Sequence, residues 1–164
     1  MPDAGSGVSP AIPFADSNRG SLSLSVMTRK FPLKSKKFNP FGALIGLEFA
    51  FYKKGRSRCL LKVRRQLLNP HGVVHGGVLF SMADTGMGAA LYSLLDGEEL
   101  CATREIKMTY LKPVTAGVLC CETRVILKGK KEAALESEVT REELPVARAR
   151  GTFAIFKKRR GQEG

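Results

Sequence analysis

Apolar and polar positions change rhythm along the chain, and the changes mark its elements. From about Leu44, "LIGLEFAFY" and "SRCLLKV" read as two strands with "KKGRS" as the turn between them. A longer segment follows, "NPHGVVHGGVLFSMADTGMGAALYSLL", from Asn69 to Leu95. Within it Leu79, Phe80, Met82, Ala83, Met87, Ala90, Leu91, Leu94 and Leu95 recur at helical spacing over a wide face. This predicts a helix of about 18 residues, apolar nearly all round and hence buried. Gly72, Gly76 and Gly77 lie before or at its start, and "DGEE" ends it. Next, "ATREIKMTYL" alternates, with Ile106, Met108 and Tyr110 on one face and Thr103, Glu105, Lys107 and Thr109 on the other. "GVLCCETRVILK" follows, a "GKK" hairpin turn leads into "EAALESEVTRE", and "LPVARARGTFAIFKK" closes the domain. Such alternation belongs to antiparallel strands with one face on a core. The predicted order is β-β-α-β-β-β-β: one long buried helix and an antiparallel sheet able to curl around it. No internal repeat is visible.

At 164 residues the chain suits one domain and needs no disulfide or metal staple. Residues 1–30 carry Gly, Ser, Pro and Asp without periodicity and are expected to form a disordered extension. They lack the positive start and apolar core of a secretory signal, and Asp3 and Asp16 weaken a transit-peptide reading. Met27 is an alternative start. The domain proper is expected over 31–157 and a basic tail over 158–164. No stretch approaches the roughly 18–20 apolar residues that a membrane span needs. Cys59, Cys101, Cys120 and Cys121 form no C-x-x-C pair and read as reduced packing residues, which points to the cytoplasm. The net charge of +12 is crowded into Arg29–Arg65 and the tail. It fits a solvated surface, a nucleic acid, an anionic membrane or a polyphosphate ligand, and alone it does not choose among them.

Three features carry candidate chemistry. Asp84 sits in an apolar helix with no cation three or four residues away, a costly place for a charge without a function. "HGG", His75 to Gly77, opens the helix, where first-turn N–H groups have no internal acceptor and face an anion or oxyanion. Asn69 before Pro70 is a turn residue or a polar hand for a ligand. Other motifs fail. His71 and His75 have no third ligand at zinc spacing, and "LFSMA" is not a G-x-S-x-G elbow around Ser81. No G-K-[ST] follows "AGSG", and no aromatic-rich basic sheet marks an RNA-binding module.

The combined spacing, N-x5-HGG-x6-D followed by "T-x-E-x-K-x-T-Y-L-K-P", resembles the hotdog-fold acyl-CoA thioesterases. The PaaI-type phenylacetate-degradation branch is the nearest in pattern. The resemblance covers about residues 40 to 157. It implies an α+β hotdog domain that hydrolyses acyl-CoA, with the coenzyme A arriving on the substrate and no metal or redox cofactor. Asp84 would be the general base or nucleophile. The Gly76 N–H, and less surely that of Gly77, would polarise the thioester carbonyl beside His75, and Asn69 would hold the carbonyl region. Thr103 would orient water where family members often carry serine. Some relatives have Glu at the place of Asp84, and the shorter side chain suits water activation better than direct attack.

Gly76 and Asp84 are eight residues apart, about 12 Å along one helix. An attacking water must lie about 3 Å from the polarised carbonyl, so one straight helix cannot serve both ends of a thioester. Two copies with antiparallel helices can. A homodimer is expected, and a dimer of dimers beyond it. Arg104, Lys128, Lys130, Lys131, Arg148 and Arg150 are candidates for the coenzyme A phosphates. The rival readings are a non-catalytic acyl-CoA sensor on the same fold, a nucleic-acid-binding protein and, as a minor option, a hotdog dehydratase.

Overall fold

The fold is given by a computed structural model that describes residues 39–158. The expected extension over 1–30, and the tail apart from Lys158, lie outside the described residues. The elements run α1 (Pro40–Ile45), β1 (Leu47–Lys53), β2 (Arg56–Lys62), a 3-10 turn (Arg65–Leu67), α2 (Gly76–Tyr92), β3 (Glu99–Tyr110), β4 (Val118–Lys128), β5 (Glu132–Arg141) and β6 (Leu144–Lys157). Six strands form one antiparallel sheet in the order β1-β2-β4-β5-β6-β3. Bulges in β1, β3, β4 and β6 interrupt its register, and such bulges bend and twist strands. The sheet curves around α2, which is the hotdog arrangement. No helix among the described residues is long and apolar enough to cross a membrane.

The start of the domain corrects the sequence reading. Leu44 and Ile45, expected in a strand, lie in α1. Pro40 opens that helix, the Asn39 side chain accepts the Gly42 N–H at 2.9 Å, and Gly46 ends it at φ 78°. A short apolar run has no periodicity of its own to separate helix from strand, so the caps decide. At the other end α2 stops at Tyr92, before "DGEE", and Leu94 is left 39% exposed.

Helix α2 is not covered all round. Leu79, Met82, Ala83, Met87 and Leu91 are buried, while Ser81, Asp84, Thr85, Gly88 and Tyr92 are only half-buried. The chain's own sheet leaves one stripe of the helix open, and Asp84 lies on it. Opposite that stripe, three buried hydroxyls form a row across neighbouring strands: Ser57, Thr123 and Ser137. Ser57 Oγ donates to the Gly86 carbonyl at 2.7 Å, and Thr123 Oγ1 and Ser137 Oγ are hydrogen-bonded at 2.7 Å. A Cβ on Gly86 would lie 2.8 Å from Thr123 Oγ1, so only glycine lets the helix sit this close. Gly86→Ala is expected to lower the unfolding free energy by about 1–3 kcal/mol, as overpacking does, despite its better helix propensity. Urea denaturation checks this.

Strand β3 carries the second correction. Its register with β6 shifts between Thr103 and Glu105, so Arg104 is an extra residue. Thr103 then pairs with Phe153, which is 2% exposed, and faces inward, whereas strict alternation had placed it outward with Glu105 and Lys107. The bulge re-aims this one side chain. Strand β3 is also an edge: it pairs with β6 alone, runs for 12 residues and is mostly exposed.

Candidate active site

The start of α2 is built by its own loop. The Asn69 Oδ1 accepts the His71 N–H at 2.9 Å and the Val73 N–H at 3.4 Å. This bonding ties the turn together and leaves the amide Nδ2 as the end able to meet a ligand, as a donor. His75 is the N-cap, and its Nδ1 accepts the Gly77 N–H at 2.9 Å. In the neutral imidazole the proton then sits on Nε2, which faces outward as a donor. The Gly77 N–H, expected as a second oxyanion donor, is engaged by this cap. Val78 N–H is engaged too, by the His75 carbonyl at 2.9 Å. Gly76 N–H has no acceptor among the described residues, at the positive end of the helix dipole.

Tyr110, at the end of β3, holds this corner. Its hydroxyl donates to the Gly76 carbonyl at 3.1 Å. A Cβ on Gly76 would come within 3.1–3.3 Å of the phenol. Gly76, Leu79, Tyr110, Lys112 and Pro113 line a cleft of about 320 Å³.

Asp84 opens into a different cleft, of about 230 Å³, bordered by Gly88, Tyr92, Cys101, Thr103 and Phe153. Thr103 Oγ1 donates to Asp84 Oδ1 at 2.6 Å. No cation lies within ion-pair distance of Asp84 among the described residues. Burial pushes the nearby Cys101 thiol up to about 11; a hydrogen bond with Tyr92 pulls it down, and the Asp84 charge raises it. Cys101 thus stays a protonated thiol near neutrality and is no nucleophile there. All four cysteines are free.

The structure therefore gathers Asn69, His75 and Gly76 at the start of α2, where Gly76 lines one cleft, and places Asp84 and Thr103 in another. It does not join the two groups within one chain. Comparison with known proteins agrees with the fold. The family described as Thioesterase superfamily matches residues 71–147, a span that holds His75, Gly76, Asp84 and Thr103. A "putative esterase" of Saccharolobus solfataricus is 33% identical over 69% of this chain and 75% of its own length. The chain belongs to the thioesterase superfamily.

A second thioesterase-superfamily relative, the acyl-CoA thioester hydrolase YciA of Escherichia coli, is 34% identical over 54% of this chain and 70% of its own. Among solved structures, the phenylacetic acid degradation protein PaaI of Thermus thermophilus superposes with a TM-score of 0.66 at 26% identity. It covers 70% of this chain and 97% of that one. The hotdog thioesterase fold read from the sequence is thus shown, and PaaI is among the solved structures it resembles.

Several of this thioesterase's expected phosphate-binding cations have partners. Arg104 pairs with Glu132 at 3.3 Å, Lys128 with Glu99 at 3.6 Å, Arg148 with Glu138 at 2.7 Å and Arg150 with Glu136 at 3.8 Å. Lys130 and Lys131 are exposed in the β4–β5 turn. Sequence reasoning passed over Lys112, Tyr110, Gly88 and Tyr92. The "TYLKP" motif contained the signal for the first two. The last two follow Asp84 at four-residue steps, and their spacing from it was not used.

Proposed function

We propose that the protein hydrolyses acyl-CoA thioesters to a carboxylic acid and free coenzyme A, at two sites built between two antiparallel copies. One observation carries this reading. The unpaired N–H of Gly76 and the cation-free carboxylate of Asp84 face two separate clefts of one chain, about 12 Å apart along α2. Each is half of a thioester-hydrolysing site. The long, one-sided edge of β3 supports the pairing, since an unprotected edge strand is a template for another chain. A two-fold joining β3 to its copy sets the two helices antiparallel and brings one helix start toward the middle of the other. The acyl-CoA hydrolase named among the relatives supports the substrate class.

In this site the thioester carbonyl oxygen lies on the Gly76 N–H, with the Asn69 amide and the His75 Nε2–H beside it. Asp84 of the other copy, fixed through Oδ1 by Thr103, takes a proton from water with Oδ2. The resulting hydroxide adds to the carbonyl carbon, and Gly76 stabilises the tetrahedral oxyanion. Collapse breaks the C–S bond, and Asp84 returns its proton to the departing thiolate. Lys112, which borders the Gly76 cleft, and the exposed Lys130 and Lys131 are the cations assigned to the phosphates. Arg104 also remains able to meet phosphate, since its ion pair with Glu132 is exposed and such pairs are worth only about 0–1 kcal/mol, whereas Lys128 would have to leave a partly buried pair with Glu99.

Thiol release from a panel of aryl- and fatty-acyl-CoAs tests the activity, and absence of release from every member would overturn it. Thr103→Val keeps the side-chain shape but removes the donor to Asp84. It is expected to lower kcat about ten- to a hundredfold, the range for a hydrogen bond to a charge, whereas Thr103→Ser retains most of the rate. Steady-state kinetics on one good substrate separates the two.

A further inference from the structure

Strand β3 touches both halves of the proposed site. Toward its start Thr103 holds Asp84 at 2.6 Å, and at its end the Tyr110 hydroxyl holds the Gly76 carbonyl at 3.1 Å. Between these two anchors lie Glu105, Ile106 and Lys107. Among the described residues β3 pairs with β6 alone, so its other edge is open. An antiparallel copy laid along that edge, with a two-fold axis midway, brings the Tyr110 end of one strand beside the Thr103 end of the other. Gly76 of one chain and Asp84 of the other then share one end of the strand pair.

The register of that pair depends on the side chains that meet across it. An axis through a residue sets each side chain against one on the same face, whereas a one-residue slip sets inner against outer. Ile106 and Met108 pack inward against the core around Met87 and Leu91, so Glu105 and Lys107 stand on the outer face. Both are exposed, and neither has an ion-pair partner among the described residues. On the covered side Glu105 is opposite Thr152 and Lys107 is opposite Arg150, a like charge. With the axis at Glu105, two glutamates would meet. With the axis at Lys107, two lysines would meet, each already flanked by an arginine. With the axis at Ile106, Glu105 of each chain meets Lys107 of the other, and the two Ile106 side chains form an apolar pair. Opposite charges across strands attract and like charges repel.

We propose that Glu105 and Lys107 set the register of a β3–β3 dimer, with the two-fold axis at Ile106 and two Glu105–Lys107 ion pairs across it. The partner this edge fits is a second copy of the chain in that one register. The inference rests on the two-chain site of the proposed function and adds the device that aligns its halves. Moving the axis by one residue slides the strands by two, about 7 Å, while the reacting groups must meet within about 3 Å. Glu105 and Lys107 are thus positioning residues that act through the strand and touch no substrate.

A charge exchange tests this. A chain carrying both Glu105→Lys and Lys107→Glu keeps two ion pairs in its own dimer when the axis is at Ile106, and is expected to pair and to release thiol like wild type. It is co-expressed with wild type under a different tag, and the share of mixed dimers is read by native mass spectrometry, with two tagged wild-type chains as the reference. At the Ile106 axis a mixed dimer sets glutamate against glutamate and lysine against lysine. Its share is expected to fall from the random value of about one half to about one in ten or less. An axis at Glu105 or at Lys107 would instead pair opposite charges in the mixed dimer and raise its share above the reference. That result overturns the proposal, as does a share equal to the reference, and with an active wild-type dimer either one leaves the two-chain site standing. If wild type releases thiol and forms no dimer at all, the two-chain site falls and this inference with it.

Discussion

Asp84→Asn is expected to lower kcat for thiol release by about 10²–10⁴-fold, the contribution usual for a positioned base, with the fold retained. Asparagine matches the shape of aspartate, and Thr103 can still donate to its Oδ1, as it does to the carboxylate at 2.6 Å. What is lost is the basicity. Stability is expected to hold or rise, because the carboxylate has no cation beside it among the described residues, and an uncompensated charge at a half-buried position favours unfolding. A structural aspartate would show the opposite pairing, with stability lost and rate kept. Thiol release and a thermal melt on the same preparation distinguish the two.

The second large effect belongs to a backbone group. Gly76→Pro removes the N–H assigned to the oxyanion and is expected to reduce kcat by about 10²–10³-fold, as loss of one oxyanion donor does. Proline is tolerated at this position. Gly76 is the first residue of α2, where the N–H takes no part in the helix and a fixed φ suits the start. His75 before it has φ −61° and ψ 134°, inside the extended region that a residue preceding proline requires. The control is Gly76→Ala, which keeps the N–H. Its Cβ asks Tyr110 to give by a few tenths of an ångström, so a much smaller loss is expected. Equal losses in the two variants would mean that space, not the donor, matters at Gly76.

Much of this was legible in the sequence because it depends on local spacing. The order of the strands and the long helix follows from periodicity. So does the separation of Gly76 from Asp84, on which the proposal of a two-chain site rests. What was not legible depends on partners distant in sequence. The alternation of β3 placed Thr103 outward, and only its register with β6, with Arg104 squeezed out as a bulge, turns it toward Asp84. The pattern marked Gly77 as a donor, but the His75 ring folds back to take its N–H. Leu44 and Ile45 read as strand until Asn39, Pro40 and Gly46 were seen to cap a helix around them. Arg104, Lys128, Arg148 and Arg150 looked like available charges, but their carboxylate partners lie on other strands, 10 to 29 residues away in sequence. Glycines 86 and 88 look alike in sequence, yet a Cβ on the first would strike Thr123, while one on the second meets nothing within 4 Å among the described residues.

The central claim is that each site takes Gly76 from one chain and Asp84 from another, and complementation tests it most directly. Asp84→Asn and Gly76→Pro chains carrying different affinity tags are co-expressed, and the mixed dimer is isolated through both tags. One of its two sites then joins an intact Gly76 to an intact Asp84, and the other carries both lesions. The account expects about half the wild-type rate per dimer from two chains that are each nearly inactive alone, as two-fold symmetry requires. A mixed dimer no more active than its parents would contradict it, and would place the whole reaction within a single chain.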